Sequence, residues 1–166
     1  MIKTSLLTAA LMMVVSGAAH AGGQEGSVGV GAEVQLSGIS GVSVNYDAGA
    51  FHVGGLLGYG DDLFMQADYF QVGARFYYHV HSTAMSDFGI GGNLGIASVR
   101  DQPDPDDRSS YVYLEPGIQI RLFLAANVAL AFTGGVALGL NDADGVSISG
   151  QGTGFNFGGG VHYYFF

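Results

Sequence analysis

The chain has 166 residues, with no cysteine, no tryptophan, 29 glycines, 11% charged residues, and five Lys and Arg against 14 Asp and Glu. That is a single-domain length. The composition excludes a disulfide scaffold and a thiolate metal site, and so acidic a chain has no basic surface with which to neutralise nucleic-acid phosphates.

Residues 1–21 begin with Lys3, continue through an apolar run from Leu6 to Val15 that is too short to span a bilayer, and end on Ala19-His20-Ala21. This pattern predicts a secretory signal peptide cleaved after Ala21, leaving residues 22–166 as one domain. No cysteine follows the cleavage position, so the leader is not that of a lipoprotein. Lys3 is lost with it, and the mature chain keeps four arginines, no lysine and all 14 acids.

Eight segments follow in which every second residue is apolar, the period of a strand with one greasy face. In chain order they are Val28, Val30, Ala32, Val34 and Leu36; Val42, Val44 and Tyr46; Phe51, Val53, Leu57 and Tyr59; then Phe70, Val72, Ala74, Phe76, Tyr78 and Val80. The second half repeats the pattern in Phe88, Ile90, Leu94 and Ile96; Val112, Leu114, Ile118, Ile120, Leu122 and Leu124; Val128, Leu130, Phe132, Val136, Leu138 and Leu140; and Phe155, Phe157, Val161, Tyr163 and Phe165.

The alternate positions are small or polar: Gly29, Gly31, Glu33 and Gln35 in the first segment, Gln71, Gly73, Arg75, Tyr77, His79 and His81 in the fourth, Tyr113, Glu115, Gln119 and Arg121 in the sixth. A soluble sandwich needs a dissolving outer face and an aliphatic inner one. Here the aliphatic face is too large to be the inside, and a bilayer outside with a narrow polar interior satisfies both parities. About 11 residues at roughly 3.3 Å, tilted near 45°, rise about 25 Å, the height of an outer-membrane apolar band. The expected fold is therefore all-β, an eight-stranded antiparallel up-and-down transmembrane β-barrel, so narrow that side chains fill it.

From a periplasmic N-terminus, the turns at 47–49, 82–87 and 125–127 are short, whereas the connections 61–68, 101–108 and 141–151 are longer and more acidic, as such barrels require. The first outer connection, 37–40, is tight. The uncharged stretch from Leu122 to Leu140 has the length of a transmembrane helix, but Asn127, Gly134 and Gly135 interrupt it and its apolar residues recur every second position.

The whole of residues 22–166 resembles the small eight-stranded outer-membrane barrels of Gram-negative bacteria, the group that includes the transmembrane domain of outer-membrane protein A and outer-membrane protein X. The most specific feature is the ending VHYYFF, in which Tyr163, Phe165 and Phe166 match an aromatic C-terminal assembly signal. The resemblance implies an outer-membrane location, contact with outer-membrane lipid and recognition by the barrel-assembly machinery. It leaves open which of Phe165 and Phe166 faces lipid.

Glu33, Arg75, Glu115 and Arg121 all fall on the interior parity, two charges against two, and predict a salt-bridged lumen in which Arg75 pairs with Glu33 or Glu115. A gate whose ion pairs re-form to open a narrow channel is the alternative. Nine acids lie in the three longer outer loops and predict a solvated acidic rim, although Asn141 to Gly145 superficially resembles the start of a calcium loop. His52, His79, His81 and His162 fall in the periplasmic half, where the first three could hold a transition metal. His81-Ser82 suggests catalysis only in isolation, because lipid-modifying barrels work near the outer leaflet. The expected role is structural or surface-interactive, without enzymatic activity or cofactor, in a monomer whose extracellular ligand is unknown. A lipid-modifying enzyme and a soluble periplasmic binding protein remain the other classes.

Overall fold

The computed structural model describes residues 24–38, 40–62, 67–101, 108–141, 145–149 and 155–165. The predicted signal peptide and Phe166 lie outside the described residues, as do 63–66, 102–107, 142–144 and 150–154 in the outer connections. Among the described residues ten strands are formed: β1 (Val28–Val34), β2 (Ser40–Asp47), β3 (Phe51–Asp62), β4 (Ala67–Ser82), β5 (Ser86–Asp101), β6 (Arg108–Ala125), β7 (Val128–Gly135), β8 (Ala137–Asn141), β9 (Gly145–Ser149) and β10 (Asn156–Phe165).

Each of β1 to β6 pairs antiparallel with the next, β6 pairs with β7, β7 with β10, and β10 returns to β1. That ring is a closed barrel of eight staves, as the alternation predicts. The seventh stave is β7 continued by β8, and the eighth is β9 followed by β10. The break between β7 and β8 has a cause in β6. Pro116 accepts a bond from Val136 N at 3.1 Å but has no N–H to return, so the ladder fails opposite it while the register on either side is the same. The uncharged Leu122–Leu140 stretch is accordingly the end of β6, a turn at Ala126-Asn127, and β7 with part of β8. Among the described residues, no helix is long and apolar enough to cross a membrane.

The barrel is inside out relative to a soluble domain. Val30, Val44, Leu57, Val72, Ile90, Leu94, Ile118, Phe132 and Val161 project outward and are exposed, while Gln71, Glu115, Asn93, Gln119 and Arg121 are buried in the lumen. Tyr59 and Phe157, the most exposed aromatics among the described residues at 75% and 78%, stand with Phe70 and Phe155 toward the outer ends of their strands. Tyr46, Tyr78, Tyr163 and Phe165 stand at the other end, and the two sets are the aromatic girdles that bound an apolar band.

The expected parity fails at the end of the fourth strand. In the fourth strand His79 pairs with Gly89 but His81 pairs with Phe88, so Val80 is the extra residue of a β-bulge. Val80 and His81 both end on the outside, and His81 is exposed rather than in the lumen. The bulge is invisible to a strict period of two because nothing in the local composition marks it.

The interior glycines make room for the large polar side chains. Gly29 lies directly across from Tyr164, and a Cβ there would come 2.7 Å from Tyr164 Cε1. Tyr164 is buried and bonded to Arg121, so its ring has nowhere to go. Replacing Gly by Ala in a strand gains about 0.5–1 kcal/mol of backbone entropy, whereas forced overpacking costs about 1–3 kcal/mol. Gly29→Ala should therefore lower unfolding stability in a urea titration of the refolded barrel. Gly55→Ala, on the outer face where a Cβ would meet only Gly73 O at 3.6 Å, should be neutral or stabilising.

Candidate functional site

Among the described residues, the buried charges of the lumen gather around two arginines, with Glu115 apart from both. In the first group, Arg75 of β4 makes an ion pair with Glu33 of β1 through Nη2 and Oε1. Two strands lie between them, and the interior position that faces Arg75 on β3 is Gly54, where a Cβ would lie 3.1 Å from Arg75 Cγ. Gly160 does the same for Glu33, with a Cβ position 2.6 Å from Glu33 Cβ. Glu33 Oε2 also lies 3.5 Å from His162 Nε2, which is 2.7 Å from Ser43 Oγ.

Glu115 takes part in neither arginine's ion pairing. Its Oε2 accepts from Asn93 Nδ2 and its Oε1 from the backbone N–H of Ser37, each at 2.8 Å. The β1–β2 connection is thereby drawn into the outer mouth, and Leu36 beside it is buried rather than on a lipid-facing strand position. The tight first outer connection thus folds inward, where its amide satisfies a buried carboxylate.

The second group sits at the periplasmic end around Arg121 of β6. Its Nη2 donates to Asp87 Oδ2 at 2.6 Å, lies 2.7 Å from Asp47 Oδ2, and donates to His79 Nε2 at 3.0 Å, while Nη1 donates to the Tyr164 hydroxyl at 3.0 Å. Because a guanidinium can only donate, His79 Nε2 is an acceptor. The hydrogen is then on Nδ1, which donates to Gly49 O at 2.8 Å. His52 Nδ1, 2.9 Å from the same His79 Nε2, must in turn be a donor. The His52 ring stacks on Tyr77 at 5.4 Å between centroids.

The expected set Glu33, Arg75, Glu115 and Arg121 is therefore buried, but it does not stand as two matched pairs. Asp47 and Asp87, assigned from sequence to periplasmic turns, are buried in the lumen, so the described interior holds two arginines against four carboxylates. The parity that carries Ser43 and Asn45 inward also carries Asp47, and the one that carries Gly89 and Gly91 inward carries Asp87. Their adjacency to turns masked that signal. Of the proposed histidine set, His52 and His79 meet and His81 does not join them.

At the C-terminus, Tyr163 and Phe165 face outward with ring centroids 5.0 Å apart, so Phe165 is on the lipid side. The nine loop acids and the Asn141–Gly145 segment fall largely outside the described residues; Asp68, half-buried, is the loop acid whose side chain is described.

Comparison with known proteins agrees with this architecture. The structure is similar to the N-terminal β-barrel domain of Pseudomonas aeruginosa OprF, at 15% identity over 85% of this chain and 98% of that one, with a TM-score of 0.57. It is also similar to neisserial surface protein A, at 15% identity over 84% and 94% of the two chains and a TM-score of 0.50. No curated protein sequence is matched. The family of outer membrane protein beta-barrel domains matches residues 7–165, and the chain belongs to that family as an outer-membrane β-barrel.

Proposed function

We propose that this barrel is a non-enzymatic structural element of the outer membrane that presents its outer loops to the surroundings. It works as a monomer, inserted by the barrel-assembly machinery through Tyr163, Phe165 and Phe166. The observation that carries the reading is the filling of the lumen. Arg121, Tyr77, Tyr113, Tyr164 and Glu115 are among the largest fully buried side chains, and about 10 Å³ is left between Arg75, Asn93 and Gln119, room for about one water. An ion path needs a continuous wet route, and the packing of large side chains across the described lumen supports a barrel that holds shut.

The histidines support the non-enzymatic part. His52, His79 and His162 are each bonded inside the periplasmic half of the lumen, far from outer-leaflet lipid, and His81 points out of the barrel. Planar-bilayer recording is the test. Wild type and Arg75→Ala should both give a flat baseline, and discrete current steps that change with the Arg75 substitution would replace this reading with a narrow gated channel.

A further inference from the structure

We propose that the periplasmic end of the lumen contains a latent transition-metal site, built from Asp47, His79, Asp87 and His52 and held closed by the guanidinium of Arg121. Ligand atoms of Asp47, His79 and Asp87, all buried, lie within 4.8 Å of one another. Three strands deliver them: the end of β2, the bulged end of β4 and the start of β5. His52 adds a second imidazole from β3, with Nδ1 2.9 Å from His79 Nε2. Donors around a tetrahedral zinc are spaced by about 3.3 Å, so the Asp47, His79 and Asp87 donors would draw together while the two imidazole nitrogens part slightly. Two carboxylates and two imidazoles suit Zn²⁺, Ni²⁺ or Cu²⁺ better than a hard cation.

Three further features point to a cation rather than to a chance cluster. His79 Nδ1 is committed to the Gly49 carbonyl at 2.8 Å, the outer bond that ligating histidines make to aim the other nitrogen at a metal. Asp47 Oδ2 is buried with Arg121 Nη2 as its partner at 2.7 Å, so withdrawing the guanidinium frees its lone pairs for a metal. A positive charge already occupies the focus of the donors, since Arg121 Nη2 is within 3.0 Å of Asp47, Asp87 and His79. A divalent ion there would neutralise both carboxylates, where the guanidinium neutralises one. On binding, the His52 hydrogen would move from Nδ1 to Nε2, which is buried without a partner, freeing His52 Nδ1 as a ligand beside the lone pair that His79 Nε2 already carries.

The test is titration of the refolded barrel in detergent with zinc chloride, read by calorimetry and by melting temperature. Arg121→Met should bind one Zn²⁺ per chain at least tenfold more tightly than wild type and melt at a higher temperature with the metal. Arg121→Met with His79→Ala should lose both effects. If Arg121→Met does not fold alone, its folding yield with and without zinc chloride becomes the readout, and Arg121→Gln, whose amide can still donate to Asp87, is titrated beside it. Absence of binding and of metal-dependent folding in both variants would overturn the site. So would zinc binding that survives His79→Ala, or binding in wild type as tight as in the variant.

Discussion

Arg121→Met should destabilise the barrel by about 3–5 kcal/mol, the cost of stranding buried charges when one partner of a buried ion pair is removed. The substitution keeps most of the volume but removes Nη2 from Asp87 and Asp47 and Nη1 from the Tyr164 hydroxyl. Both carboxylates are buried, so water does not replace the lost guanidinium without opening the periplasmic end. Urea unfolding in lipid vesicles, read by the heat-dependent gel shift of the folded form, measures the loss. Arg121→Met combined with Asp87→Asn should lose less than Arg121→Met alone, because the second change removes a stranded charge. Equal losses in the two variants would show that packing rather than charge holds this end shut. Arg75→Met should follow the same logic with a smaller loss, since Arg75 faces the single carboxylate of Glu33.

Leu94→Arg should cost about 2–4 kcal/mol in a bilayer. Leu94 is 54% exposed, projects from the middle of β5, and lies in register between Ala74 and Leu114 on the outer face. In a water-soluble protein an exposed leucine replaced by arginine would change stability by about 0.5 kcal/mol or less. The sign and size of this one substitution therefore report the solvent on the outside of the barrel. The loss should shrink for Tyr163→Arg, which sits in the periplasmic girdle where a long cation reaches the interface. Folding in vesicles with equal stability for wild type and Leu94→Arg would contradict a lipid-facing position.

The eight staves and their two faces were legible in the sequence because side-chain alternation is a local property: Val28 to Val34, or Phe70 to Tyr78, declare inside and outside with no knowledge of neighbours. The count of eight strands told in the same way that the interior is narrow, which accounts for glycine on the inner parity, as at Gly29. What the sequence did not carry were the partners. Arg75 meets Glu33 across two intervening strands, and Arg121 meets Asp47 and Asp87 rather than Glu115, because cross-lumen neighbours depend on strand tilt and stagger summed around the whole ring. Glu115 accepts instead from Ser37, brought to it by a turn that folds into the mouth.

Two local features also escaped the alternation. The bulge at Val80 inverts the face of His81, and Asp47 and Asp87 keep their inward parity at positions that read as turn residues. The sequence by itself determined that this chain is a barrel with a polar interior, since period and composition suffice to assign faces. Only the closed ring decided which charges share that interior and which are left to pair, because an ion pair across a lumen is fixed by geometry between strands far apart in the chain.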